Sequence, residues 1–214
     1  MSHEIVLDIE TGNSFADVGK YDPSLLNVSL VVVYEYAADR YSAFTCEYER
    51  DAAGNPARDA NGRFKMTKNG LGGLWKIMEG ADRIIGYNLF GFDYQVLNTL
   101  YPGDFTKFPT LDLMVEIEKN LGFRLKLDDV AHGCLGTGKS GNGLQAIEFF
   151  RRGELDKLRE YCQQDVKVTK EVYEFGLANK QIKYKDRAGR LVPVPVDFEL
   201  QLVKKAPVNL TMPF

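Results

Sequence analysis

The chain has 214 residues, of which 44% are hydrophobic and 27% charged, with a formal net charge of −3. This composition indicates one globular domain with extensions, and the charge argues against a broad electrostatic grip on duplex DNA. Because His3 and His132 are the only histidines, zinc chemistry and a Ser-His-Asp triad are not expected. Acid–base chemistry then falls to carboxylates, tyrosine, lysine or metal-bound water.

The cysteines and the apolar runs indicate the setting of the protein. Cys46, Cys134 and Cys162 are odd in number and scattered, which is typical of a reduced thiol environment. No apolar run approaches the length that spans a membrane, and no charged-then-apolar leader begins the chain. We therefore expect a cytoplasmic protein without a membrane partner.

Strands are predicted early in the chain, followed by alternation with helices and then by a long helix. In chain order, the predictions are strands at Ile5–Asp8, Asn27–Tyr36 and Tyr41–Tyr48, a polar loop at Asp51–Gly62, a helix at Leu71–Glu79, a strand at Arg83–Tyr87, helices at Gly91–Leu100, Leu111–Leu121, Leu127–Cys134, Leu144–Arg152 and Glu154–Asn179, and a hairpin within Gln181–Phe198. This order predicts an α/β domain at residues 1–180 and a C-terminal hairpin and tail at residues 181–214.

Two acidic side chains stand in the first strand. Asp8 and Glu10 are two residues apart in an otherwise apolar run, so strand alternation places both on one face. Two adjacent carboxylates repel unless a cation joins them, and oxygen ligands suit Mg²⁺ or Mn²⁺. The alternative is an exposed strand end whose acids are solvated.

Further carboxylates are available on two later helices. Asp93 is predicted in the first turn of a helix, either as a metal ligand or as an acid that stabilises its own helix. Tyr161 and Asp165 are four residues apart, so they share one face of the long helix. The alternative for this pair is a half-buried tyrosine beside a solvated aspartate. Asp112 is interpreted as a helix N-terminal acid rather than a support for the site.

Taken in order, LDIET, NLFGFD and YCQQD resemble the three motifs of the DEDD 3′–5′ exonucleases, over about residues 3–178. The spacing of Tyr161 and Asp165 points to the tyrosine (DEDDy) subgroup, and LKLDDVAHGCLG, GLQAIEFF and LREYCQQDVKVTKEVYE add to the resemblance. The chain resembles ribonuclease H-like exonuclease modules akin to the proofreading domain of family-B DNA polymerases, some of them helicase-associated. This resemblance implies a ribonuclease H-like mixed sheet flanked by helices.

The resemblance also implies the roles of the residues. Two Mg²⁺ or Mn²⁺ ions would be held by Asp8, Glu10, Asp93 and Asp165. Asp8 would bridge both ions, and Tyr161 would orient the attacking water. The implied substrate-binding residues are Thr11, Asn88 and Phe92. The implied reaction releases nucleoside 5′-monophosphates from the 3′ end of a single strand, with DNA slightly favoured over RNA. A polymerase or helicase is the implied partner, and the alternatives are an inactive nucleic-acid-binding module or an interaction domain that binds no nucleic acid.

A second motif competes with this interpretation. Gly133–Ser140 matches the phosphate-binding loop G-x-x-x-x-G-K-[ST], which requires a strand before it and a helix after it. Here a predicted helix precedes the motif, and Gly141-Asn142-Gly143 follows it. We therefore interpret the segment as a Gly-rich connection, with Lys139 as a candidate contact to a substrate phosphate. Lys183, Lys185, Arg187 and Arg190 of the hairpin either form a solvated edge or guide the nucleic acid.

Overall fold

The computed structural model describes residues 3–58, 60, 65–67, 69–137 and 143–200. Its strands are β1 (Glu4–Thr11), β2 (Val28–Glu35), β3 (Arg40–Thr45), β4 (Arg83–Gly86), β5 (Thr110–Asp112), β6 (Gln181–Lys185) and β7 (Leu191–Pro195). Its helices are α1 (Phe15–Val18), α2 (Gly72–Gly80), α3 (Asp93–Leu97), α4 (Leu113–Leu121), α5 (Leu127–Leu135), α6 (Gly143–Arg151) and α7 (Leu155–Asn179). Within these ranges, no helix has the length and hydropathy needed to cross a membrane.

Five strands form one mixed sheet in the order β3-β2-β1-β4-β5. Strand β2 is antiparallel to both of its neighbours, β1 and β3, whereas β4 and β5 run parallel to β1. This arrangement confirms the predicted α/β class, with a mixed sheet flanked by helices. Because β1 is the central strand, its end can be approached by helices from several parts of the chain.

Two predicted helices begin later in the structure than expected, and one helix was not predicted. The helix predicted at Leu111–Leu121 begins only at Leu113, because the Asp112 side chain caps it and Thr110–Asp112 pairs with β4. The helix predicted from Gly91 begins only at Asp93, because the backbone N–H of Gly91 bonds within a turn to the carbonyl of Asn88. Helix α1 was not predicted at all.

The C-terminal hairpin of β6 and β7 packs on the same hydrophobic core as the sheet. Ile182, Val194 and Phe198 are all buried, and Phe198 is fully inaccessible. A Cβ atom on Gly176 of α7 would lie 2.3 Å from the Phe198 ring, so this glycine permits the close approach. The hairpin extension is therefore confirmed, whereas the division of the chain at residue 180 into separate units stays a prediction.

Candidate active site

The two acids of β1 lie on one face of the strand. Carboxylate oxygens of Asp8 and Glu10 lie within 4.8 Å of each other and of Cys162 Sγ. The pairing between β1 and β2 shifts register between Glu10 and Thr11. Such an irregularity bends the strand and re-aims its side chains, and it is common beside active sites.

Helix α3 brings a third carboxylate to the same strand. Asp93 is the first residue of this helix and is only 3% exposed. Burial, followed by the charge of Asp8, raises the pKa of its carboxyl well above the ordinary value, although hydrogen bonds from backbone N–H groups, including that of Ile9, oppose the shift. Because Ile9 stands between the two β1 acids, this bond places Asp93 beside them.

Helix α7 reaches the site through Cys162. The Cys162 thiol donates to the carbonyl oxygen of Asp8 at 3.6 Å and to Asp8 Oδ2 at 3.7 Å. Burial, followed by the charges of Asp8, Glu10 and Asp165, raises the pKa of the thiol well above its usual value. The thiol is therefore protonated and serves as a weak donor to the acid.

The β1 acids open onto a cavity of about 460 Å³. This volume lies in the range of about 300–1,000 Å³ that is typical of small-molecule sites. Its walls come from β1, the segments that follow β1 and β4, and helix α6. The described residues that line it are Asp8, Ile9, Glu10, Thr11, Asn13, Ser14, Phe15, Leu26, Tyr87, Asn88, Phe92, Asp93, Gly143, Leu144 and Ile147.

The predicted site residues therefore fall into three sets. Those that line the cavity are Asp8, Glu10, Thr11, Asn88, Phe92 and Asp93. Tyr161 and Asp165 are buried one helical turn apart on α7, on the Cys162 side of the site, and neither is among the described residues that line the cavity. Lys139 lies outside the described residues.

The backbone around Asn88 is held in an uncommon conformation. Asn88 has φ = +67°, in the left-handed region. Asp112 Oδ1 accepts the backbone N–H of Asn88 at 2.8 Å, and Asp112 Oδ2 accepts that of Phe90 at 3.1 Å. Asp112 also caps α4, so it is both the helix N-terminal acid expected and a support for the cavity wall. Among the described atoms, Asn88 Oδ1 is buried without a hydrogen-bond partner, a costly arrangement that is often found at functional sites.

The structure describes residues 133–137 of the phosphate-binding-loop motif and explains the glycines there. Gly133 and Cys134 lie inside α5, and Gly136 ends this helix in the left-handed conformation. A Cβ atom on Gly133 would lie 2.1 Å from the carbonyl oxygen of Lys183, so this glycine lets α5 pack against β6. Since a helix rather than a strand leads into the motif, the rejection of the nucleotide-binding interpretation is supported.

The sequence analysis did not predict that Cys162, the segment around α1 and helix α6 contribute to the site. Cys162 is three residues before Asp165 on α7, so helical spacing could have placed it on the same face. Ser14 and Asp17 form a capping box at α1, and the spacing of a serine three residues before an acid could have indicated that helix. The approach of Leu144 and Ile147 from α6 depends on tertiary packing, which no local pattern reveals.

Comparison with known proteins adds a family and a fold. A family model described as the RNase H superfamily matches residues 63–175, just over half of the 214-residue chain. The matched range begins after β1, so it does not include Asp8 and Glu10. It includes three residues of the second and third motifs, namely Asp93, Tyr161 and Asp165. No curated protein matches the chain.

A solved structure shares the architecture. The chain superposes on the family B DNA polymerase from the hyperthermophilic archaeon Pyrobaculum calidifontis with a TM-score of 0.56 and 18% sequence identity. The similarity covers 83% of this chain but 25% of the polymerase chain. It therefore shows a common fold over a quarter of the length of that polymerase.

Proposed function

The chain belongs to the RNase H superfamily, and from this premise we propose that it is a metal-dependent 3′–5′ exonuclease of the tyrosine (DEDDy) subgroup. Its substrate is the 3′ end of single-stranded nucleic acid, with DNA slightly favoured over RNA. Its products are nucleoside 5′-monophosphates. The observation that carries the proposal is the convergence of Asp8, Glu10 and Asp93 on one cavity.

The donor set fits hard divalent cations. Asp8 and Glu10 place carboxylate oxygens within 4.8 Å of each other, and Asp8 also raises the pKa of the buried Asp93. A cation would offset this repulsion, and carboxylate oxygens are ligands that Mg²⁺ and Mn²⁺ prefer. Asp8, Glu10, Asp93 and Asp165 would hold two such ions. Bound there, the ions would supply Lewis-acid activation of water and stabilise charge on the leaving 3′-oxygen.

The remaining residues bind and orient. Tyr161 is assigned to orient the attacking water, since a phenol hydroxyl can both donate and accept a hydrogen bond. Thr11 offers its backbone N–H to the terminal nucleotide, while Asn88 and Phe92 shape the pocket for its sugar and base. Lys139 keeps its assignment as a contact to a substrate phosphate.

The test is digestion of a 5′-labelled oligonucleotide in the presence of Mg²⁺ or Mn²⁺. A ladder that shortens from the 3′ end, and that disappears with EDTA and with Asp8→Ala, is the expected result. Uncut oligonucleotide that is still bound would instead favour an inactive nucleic-acid-binding module. Parallel digestion of deoxyribo- and ribo-oligonucleotides of one sequence measures the preference for DNA.

The wider setting is part of the same proposal. A replication or repair polymerase or helicase is the proposed partner, and the basic hairpin of β6 and β7 is available to meet the partner or the strand. A reducing, cytoplasmic setting is part of the proposal, because Cys46, Cys134 and Cys162 are odd in number and scattered along the sequence.

A further inference from the structure

An exposed tyrosine stands next to the cavity. Tyr21 is 83% exposed, more than any other large hydrophobic side chain in the described ranges. Its ring centroid is 4.2 Å from that of Phe15, with an angle of 35° between the ring planes. One face of Tyr21 therefore rests on Phe15, and the other face is open to solvent.

Phe15 connects this tyrosine to the interior of the site. Phe15 lines the cavity, and its ring centroid is 6.4 Å from that of Phe92, which also lines the cavity and directly precedes Asp93. Phe92, Phe15 and Tyr21 thus form a series of aromatic rings from the candidate metal ligands to the surface. We call this series the aromatic path.

The backbone on either side of Tyr21 is fixed. Gly19 ends α1 in the left-handed conformation, and Asp22 caps the following 3-10 turn by accepting from Ser24. The backbone N–H of Asp22 also bonds to the carbonyl of Lys20 at 3.1 Å. Because the turn is held at both ends, the open ring face is preorganised, which lowers the entropy lost on binding.

Positive charge accompanies the aromatic path. Lys20, directly before Tyr21, is paired with Asp22 at 3.0 Å and its side chain is 67% exposed. Arg151 of α6 is paired with Asp17 of α1 at 2.7 Å and is half exposed. Exposed pairs of this kind contribute little to stability, so both cations can turn toward phosphates. In a protein of net charge −3, such local cations matter for a polyanionic ligand.

We propose that Tyr21 is a stacking platform for a nucleobase that lies upstream of the 3′-terminal nucleotide, where a single strand leaves the cavity along the aromatic path. The inference rests on the proposed exonuclease function, which places the terminal nucleotide in the cavity. Stacking between a base and an aromatic side chain accepts every base and contributes substantially to single-strand binding. The platform therefore favours unpaired strands of several nucleotides over isolated nucleotides.

The test measures binding without cleavage. Fluorescence anisotropy of 5′-fluorescein-labelled octathymidylate in EDTA gives its affinity, and competition by thymidine 5′-monophosphate probes the cavity alone. We expect Tyr21→Ala to weaken octathymidylate binding about tenfold and to change competition by the mononucleotide much less. Tyr21→Phe keeps the ring and is expected to retain the wild-type affinity.

Phe123→Ala is the matched control, because Phe123 is also an exposed aromatic (49%) but contacts Tyr184 of the hairpin. This variant is expected to bind octathymidylate like the wild type. Wild-type affinity in Tyr21→Ala, or equal weakening of octamer and mononucleotide, would overturn the platform. Thermal melting of each variant separates a folding defect from a binding defect.

The same reagents separate this inference from the proposed activity. If the wild type shortens the octamer with Mn²⁺ while Tyr21→Ala binds it normally, the platform is wrong and the exonuclease stands. If the wild type never cleaves but Tyr21→Ala still weakens octamer binding, the exonuclease is wrong, and Tyr21 is the stacking platform of a nucleic-acid-binding module. Absence of any binding by the wild type would refute the platform directly.

Discussion

The carboxylate of Asp112 holds the backbone of Asn88, whose N–H lies 2.8 Å from Asp112 Oδ1. The same carboxylate accepts from Phe90 and caps α4. Asp112 is 4% exposed, so these bonds are shielded from water and each lost partner would be costly. One side chain at the end of β5 thereby couples a helix start to the wall of the cavity.

Replacing Asp112 by asparagine should therefore lower both stability and activity. An amide can accept at only one of its two ends, so at least one backbone N–H loses its acceptor. We expect a loss of about 1–3 kcal/mol in the free energy of unfolding and a fall in kcat as the Asn88 segment loosens. Chemical denaturation and exonuclease assays measure the two effects.

Asp104→Asn is the control for Asp112. Asp104 caps the 3-10 turn Phe105–Lys107 in the same way but is exposed at the surface. This variant should lose little stability and keep its activity. If Asp104→Asn lost as much activity as Asp112→Asn, the activity defect of Asp112→Asn would reflect general destabilisation rather than a change in the position of Asn88.

A second prediction concerns the repulsion between carboxylates at β1. Asp8→Asn removes a charge that disfavours ionised Asp93, so the variant should be more stable than the wild type in EDTA. It should also bind Mn²⁺ much more weakly. The order of the two melting temperatures should therefore reverse when Mn²⁺ is added. A destabilised variant in EDTA would show that Asp8 has a structural role.

The role assigned to Tyr161 leads to a third prediction. Tyr161→Phe keeps the buried ring but removes the hydroxyl, so turnover should fall on the order of 100-fold while Mn²⁺ affinity measured by calorimetry stays close to that of the wild type. Tyr173→Phe is the matched control, because Tyr173 lies on the same helix and bonds to Arg83 and Glu4. That variant should lose stability rather than turnover. Equal loss of metal affinity in Tyr161→Phe would contradict the assigned role.

The elements that were predicted well are those in which apolar residues recur at a regular spacing along the chain. The apolar run around Asp8 and Glu10 predicts β1, which is buried on both faces. The apolar spacing along Leu155–Asn179 predicts α7, which buries one side of the helix. The alternation in β1 also places its two acids together. These patterns are local, so the sequence carries them directly.

The features that were missed depend on a few contacts between distant segments. Strand β5 is three residues long, too short for alternation to be recognised, and it is defined by its pairing with β4. Cys162 acquires its role only because α7 crosses β1 at Asp8. The aromatic path requires the turn at Tyr21 to fold back onto Phe15, and no periodic pattern specifies that contact.

A fourth prediction tests the structural explanation of the glycine-rich motif. Gly133→Ala should destabilise the protein by about 1–3 kcal/mol, because the new Cβ would meet the backbone carbonyl of Lys183, which cannot rotate away. Gly72→Ala is the control, since no atom lies within 4 Å of its added Cβ. Neither variant should bind a fluorescent ATP analogue, and neither should the wild type. Binding that disappears in Lys139→Ala would instead restore the nucleotide-loop interpretation.

The last prediction concerns Arg83, which joins the C-terminal segment to the sheet. Arg83 is 6% exposed, and its guanidinium donates to Glu4 at 2.8 Å, to the Tyr173 hydroxyl at 2.7 Å and to the carbonyl of Phe198 at 3.0 Å. Arg83→Met removes the buried cation that faces Glu4 together with its hydrogen bonds, so we expect a loss of about 3–5 kcal/mol in the free energy of unfolding. The rate of amide hydrogen exchange should rise first around Phe198, because its carbonyl oxygen loses the hydrogen-bond donor that Arg83 supplies.

Denaturation of the wild type and Arg83→Met also tests whether residues 181–214 form a separate unit. Ile182, Val194 and Phe198 share the core with the sheet, so we expect one cooperative transition for the wild type. In Arg83→Met, an early transition confined to the C-terminal segment would show that the hydrogen bond from Arg83 to the carbonyl of Phe198 couples this segment to the sheet. Two transitions in the wild type would instead support a division of the chain at residue 180. Fluorescence of Trp75, which packs against Tyr101 away from the hairpin, and exchange at Phe198 report on the two parts independently.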